Sequence, residues 1–162
     1  WGETAGELAD CGITIGEIIT KKMNIYVKVP ITKIGTQAAK TIISKNIPIT
    51  FTACFEAKQV ILAEAITAKY IAPYLRRITE QGGDGRSEII TMQRILKGLN
   101  SKTNLLVASL DSLNDLIYLA KNGINTFTIS PDLANQFYDV KLTSNAAKVF
   151  EIDALNEIDL KA

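Results

Sequence analysis

Apolar residues recur along this chain with two alternating periods. Five short runs are rich in β-branched and aromatic residues: 25–30 (IYVKVP), 48–54 (PITFTAC), 69–75 (KYIAPYL), 104–109 (NLLVAS) and 126–130 (TFTIS). Each is close to the usual strand length of about 5–6 residues, and each predicts a strand. The segments between them carry apolar residues at helical spacing. Helices are predicted over 36–45 (Ala38, Ala39, Ile42, Ile43), 56–68 (Val60, Ile61, Ala63, Ala65), 86–100 (Ile89, Ile90, Met92, Ile95, Leu96) and 110–122 (Leu113, Leu116, Ile117, Leu119). Asp111 and Asp115 suit the start of the last of these. A further helix is predicted over 4–22, despite Gly6, Gly12 and Gly16, and one or two acidic helical pieces over 145–162. Strand, helix, strand in repetition predicts parallel strands with helices outside them. No linker or low-complexity stretch interrupts the pattern, so 1–162 reads as one domain with 145–162 as its helical tail.

Strand residues alternate between two faces. One parity of the five runs is apolar: Ile25, Val27, Val29; Ile49, Phe51, Ala53; Ile71, Pro73; Leu106, Ala108; Phe127, Ile129. The other parity carries the reactive groups: Tyr26, Lys28; Thr50, Thr52, Cys54; Tyr70, Ala72, Tyr74; Leu105, Val107, Ser109; Thr126, Thr128, Ser130. A doubly wound sheet has both faces under helices and needs both parities apolar. A (β/α) barrel needs only one: the apolar parity meets the helical ring, and the other points inward and lines a site at the C-terminal ends of the strands. The expected fold class is therefore α/β, of the barrel type.

Composition then removes whole classes of chemistry. The chain has no histidine, which excludes Ser-His-Asp and Cys-His nucleophiles, histidine bases and histidine-ligated metals. Its two cysteines, Cys11 and Cys54, form no CxxC pair and predict neither a disulfide framework nor a zinc site. They read as small core residues in a reducing compartment, the cytoplasm. With 18 basic and 17 acidic residues and no basic stripe, nucleic acid is not an expected partner. No apolar run approaches the ~18 residues of a membrane span. The chain opens on Trp1 and not on Met, and part of a longer protein is expected.

Lys28 lies within an otherwise apolar strand on the inward parity. An amine that loses hydration favours its neutral form, a nucleophile for carbonyls. The same position also suits a lysine whose stem packs while its head reaches solvent. Tyr74, on a neighbouring inward row, supplies a phenol able to donate and accept the protons of Schiff-base chemistry. Arg76 and Arg77 follow the third strand, and Gln81-Gly82-Gly83-Asp84-Gly85 forms a glycine-rich loop before a helix. With Ser109 on the next strand, these predict an anion site suited to phosphate.

These residues sit in longer motifs: VKVPIT at 27–32, IPITFTACF at 47–55, YIAPYLRRITEQGGDG at 70–85, LLVASLDS at 105–112 and TFTISPDLANQ at 126–136. Together, in this order, they resemble the small transaldolase family, in its fructose-6-phosphate aldolase-like branch. The resemblance implies an eight-stranded (β/α) barrel, a TIM barrel of the class I aldolase type. This chain would supply the last five strands, about five βα units, and leave the barrel incomplete. It also implies aldol chemistry with no metal or organic cofactor. Lys28 matches the Schiff-base lysine, Thr52 a threonine that holds the catalytic water, and Tyr74 the aromatic position where tyrosine marks the aldolase branch. Arg77 and Ser109 match the residues that bind the sugar phosphate. An aspartate, an asparagine and a Gln or Glu on the family's first three strands have no counterpart here, which implies a crippled activity for this chain.

The expected reaction is cleavage, formation or transfer of a dihydroxyacetone unit on fructose 6-phosphate and glyceraldehyde 3-phosphate. The alternatives are a transaldolase proper of the pentose phosphate pathway, and a non-catalytic sugar-phosphate-binding or inactive fragment. Resemblance to the family also implies a homo-oligomer for the full-length protein.

Overall fold

The computed structural model describes residues 3–20 and 25–159. Trp1, residues 21–22 of the first expected helix and residues 160–162 of the expected tail lie outside the described residues. Two compact units divide the chain, residues 1–129 and 130–162.

The first unit begins with helix α1 (Ala5–Thr20) and continues as βα repeats. Strand β1 (Val27–Pro30) leads to α2 (Lys33–Ser44), β2 (Ile49–Cys54) to α3 (Lys58–Ala65), and β3 (Tyr70–Pro73) to α4 (Leu75–Glu80) and α5 (Gly85–Gly98). Strand β4 (Asn104–Leu105) precedes α6 (Leu113–Lys121). The sheet is parallel throughout, in the order β1-β2-β3-β4. A parallel bridge from Val107 to Phe127 adds the fifth expected strand beside β4. Consecutive order in an all-parallel sheet is the barrel pattern, and among the described residues the sheet stays open, with β1 at one edge. The architecture is thus an α/β partial barrel, as the two periods predict.

The register fixes the faces. Lys28, Thr50, Tyr70 and Asn104 form one row across four strands. Val27, Val29, Ile49, Phe51 and Ile71 point the other way and are buried, together with Ile42, Val60, Ile89 and Met92 of the helices. Each such side chain contributes about 1.5–3 kcal/mol through removal from water. This is the helix-covered face that the apolar parity predicts for the first three strands.

The fourth strand reverses the expected parity. Ile71 pairs with Leu105, so Leu105 and Val107 join the helix-covered face, where they are 2% and 0% exposed. Leu106 and Ala108 take the inner face. Cys54 also changes sides. A bulge between Phe51 and Cys54 sets Cys54 opposite Pro73 on the covered face, with Ala53 at φ 55°. A bulge inserts one residue and so inverts the alternation beyond it.

Helix ends follow local chemistry. Thr32, Asp84 and Ser112 accept the backbone N–H groups of Gly35, Ser87 and Asp115 at the starts of α2, α5 and α6. Left-handed residues Asn46, Thr67, Gly82, Asn100 and Gly123 follow the ends of α2 to α6. Leu75 belongs to α4 and not to the third strand, and α4 was not expected. The second unit holds α7 (Pro131–Asn135), capped by Ser130, a short 3-10 turn, and α8 (Lys141–Asp159), which starts before residue 145. No described helix is long and apolar enough to cross a membrane.

The bulge gives Cys54 a measurable signature. Burial pushes its thiol up to about 12, and the carboxylates of Glu88 and Glu56 act in the same direction. An unfolded thiol ionises near about 8.5. The folded chain therefore holds this proton more tightly than the unfolded one. That stability is complete below about 8.5 and is lost as pH rises toward about 12, at up to about 1.4 kcal/mol per pH unit. Denaturation at pH 8, 9 and 10 should show this extra slope in the unaltered chain and not in Cys54→Ala. Parallel profiles would contradict the buried placement.

Candidate functional site

Tyr74 immediately follows β3 and caps the start of α4 in extended conformation, which aims its ring over the C-terminal ends of the strands. Its hydroxyl meets the Thr52 hydroxyl at 2.6 Å. The Lys28 Nζ lies 5.9 Å from its ring centroid and the Arg77 Cζ 5.0 Å from it. Both distances fall in the range where a cation is attracted to an aromatic face. Phe55 abuts the same ring edge to face, with centroids 5.8 Å apart and planes at 80°. Four of the five expected site residues thus meet around one phenol.

Each placement has a local cause. Lys28 shares a face with Thr50, two positions below Thr52, and its head is exposed while Val27 and Val29 are buried. Thr52 is the last residue before the left-handed Ala53, so the bulge turns the strand just after presenting its hydroxyl. Bulges re-aim side chains in this way and gather at functional sites. Arg76 and Arg77 stand side by side on α4, and successive helical positions point about 100° apart. Arg76 turns to Asp111 at 3.1 Å and Glu80 at 3.5 Å, while Arg77 turns to Tyr74.

Ser109, the fifth expected residue, is not in hydrogen-bond contact with that cluster. It stands one residue past Ala108, which bridges to Tyr74, and its carbonyl accepts the Arg76 N–H at 3.0 Å. Its backbone is left-handed at φ 60°, and its buried Oγ has no hydrogen-bond partner. Left-handed residues elsewhere follow helix ends; Ala53 and Ser109 alone among the described non-glycine residues sit instead at strand ends, on either side of β3. Such strain persists where surrounding structure enforces it, commonly at sites of function.

The glycine-rich loop behaves differently from its expected part in an anion site. Asp84 caps α5, and the adjoining cavity is lined by Glu56, Asp84 and Glu88, a surrounding that repels anions. Gly82 takes the left-handed turn after α4, and Gly83 and Gly85 serve packing. A Cβ on Gly85 would stand 2.6 Å from the Leu75 carbonyl oxygen, so only glycine lets α5 start this close to α4. Phe55 was not singled out by residue type. Its aromatic character directly after β2 was the available signal.

Over residues 4–162 the chain matches the transaldolase/fructose-6-phosphate aldolase family. A probable transaldolase of Nitrosopumilus maritimus is 34% identical over 121 residues, which cover 74% of this chain and 54% of that protein. A probable transaldolase of Chelativorans sp. is 32% identical over 130 residues, covering 80% and 60%. One of Methanococcus maripaludis is 29% identical over 137 residues, covering 85% and 64%. The chain spans between about half and two thirds of the length of these curated relatives. With this match along almost its whole length and a parallel partial barrel beneath it, the chain belongs to the transaldolase/fructose-6-phosphate aldolase family of enzymes.

Proposed function

We propose that this chain carries the Schiff-base half of a fructose-6-phosphate aldolase-like site, with Lys28 as nucleophile. The observation that carries the reading is the meeting of Lys28, Thr52 and Arg77 around the Tyr74 ring. The neutral Lys28 amine attacks the ketone of fructose 6-phosphate, and loss of water leaves an iminium. Tyr74 gives its phenol proton to the hydroxyl that leaves as this water, and the resulting phenolate, through a water at Thr52, takes the proton of the fourth-carbon hydroxyl. The bond between the third and fourth carbons breaks, its electron pair passes into the iminium, and glyceraldehyde 3-phosphate leaves. The remaining enamine takes a proton from Tyr74, and hydrolysis frees dihydroxyacetone. Arg77 and the unpartnered Ser109 hydroxyl hold the phosphate by charge-assisted hydrogen bonds.

A second reading is transfer of the enamine to an acceptor aldehyde, favoured by the name of probable transaldolase that the relatives carry. Release of free dihydroxyacetone in the presence of erythrose 4-phosphate separates the two, since a transferase passes the unit on.

Arg77→Ala tests the phosphate assignment. Loss of one charge-assisted contact raises KM for fructose 6-phosphate about ten- to hundredfold, from roughly 1.5–3 kcal/mol. The reaction of dihydroxyacetone with unphosphorylated glyceraldehyde keeps its rate. An unchanged KM for the phosphorylated sugar would remove Arg77 from this role.

A further inference from the structure

The turn after β2 is held more tightly than a connecting loop requires. Its three consecutive amides all have side-chain acceptors. Phe55 and Glu56 donate to the Gln59 Oε1 at 2.8 and 3.0 Å, and Ala57 donates to the Glu88 Oε1 at 2.5 Å. Gln59 belongs to α3 and Glu88 to α5, so two helices grip one turn. Glu88 is delivered there because α5 starts close to α4 at Gly85. What the fixed turn presents is the Phe55 ring, set edge to face on Tyr74. The opposite constraint is the Tyr74 hydroxyl on Thr52.

We infer that Phe55 is a positioning residue: it holds the Tyr74 ring so that its hydroxyl stays on Thr52 and its face stays toward the Lys28 amine. A phenol on a half-buried strand end swings about its first torsion, and that swing carries its oxygen away from the reacting proton, whereas a flip about the second torsion leaves the oxygen on the ring axis. Phe55 blocks that swing, while Gln59 and Glu88 stop Phe55 from yielding. The inference rests on the reading of Tyr74 as the proton-transfer group.

The test uses the full chain with dihydroxyacetone and glyceraldehyde 3-phosphate. Phe55→Leu should lower kcat about three- to tenfold, the span an edge-on aromatic contact supports, with KM for the phosphorylated aldehyde unchanged. Phe55→Tyr should restore kcat. Gln59→Ala, which frees the turn and keeps the ring, should lower kcat in the same direction. Phe55→Leu combined with Tyr74→Phe should be no slower than Tyr74→Phe alone, because Phe55 acts only through Tyr74. Multiplying losses, or a raised KM in place of a lowered kcat, would overturn the inference.

A spectroscopic arm separates the two ideas. In chain carrying ring-labelled tyrosine, Phe55→Leu should shift and sharpen the Tyr74 signals and leave the other four of the five tyrosines in place. If the unaltered chain is inactive or Tyr74→Phe keeps full kcat, the proposed function fails, and this arm alone decides the positioning. Unchanged Tyr74 signals would then overturn it.

Discussion

Gly35→Ala should cost the fold about 3 kcal/mol or more. Gly35 lies in the first turn of α2, where its N–H donates to the Thr32 cap at 3.0 Å. A Cβ built there would stand 1.9 Å from the Pro30 carbonyl oxygen and 3.1 Å from its carbon. The obstacle is backbone, so no side-chain rotation relieves it. Either α2 lifts from the end of β1 or the Pro30 peptide turns. Overpacking of this kind typically costs about 1–3 kcal/mol, more where the neighbour cannot move, and exceeds the ~1 kcal/mol that alanine gains in a helix. For a domain of this size the melting temperature should fall by roughly 6–12 °C. Gly98→Ala is the control, because a Cβ at Gly98 meets nothing within 4 Å. It should leave the stability unchanged or raise it. A Gly35→Ala chain as stable as the unaltered one would contradict the close approach of α2 to β1, and with it the geometry of the strand that bears Lys28.

The strands and long helices were legible because their apolar spacing follows from burying one face. The faces of the first three strands were legible for the same reason. The fourth was not: Leu105, Leu106, Val107 and Ala108 are all apolar, so parity carries no signal there. The pairing of Leu105 with Ile71 decides it, and that contact joins distant parts of the chain. The Cys54 reversal was hidden because the bulge uses Ala53, where no glycine marks a left-handed residue. Helix α4, from Leu75 to Glu80, is too short to show a period. Without it, Arg76 and Arg77 look equivalent, and only the helix separates the ion-paired arginine from the one over Tyr74. The glycine-rich loop resembled an anion cradle because sequence spacing does not reveal that Asp84 and Glu88 turn into it. The cluster around Tyr74 needs three distant segments to meet, and the resemblance of the motifs carried more of it than spacing did.

Lys28→Met should abolish covalent capture of dihydroxyacetone and leave the fold intact. Methionine keeps the length of the stem and removes the amine. The Lys28 head is exposed and its flanks, Val27 and Val29, are buried, so the strand loses no core contact. The 5.9 Å approach of Nζ to the Tyr74 ring contributes little to stability at an exposed site, about 0.5–1 kcal/mol. The loss of chemistry is complete, because no imine forms without the amine. The most direct measurement is borohydride reduction of the chain with dihydroxyacetone, followed by peptide mass mapping. The account predicts a slow, specific adduct on the peptide that carries Lys28, absent from Lys28→Met. An adduct on Lys33, Lys58 or Lys69 instead, one that survives in Lys28→Met, or no adduct at all, would contradict it.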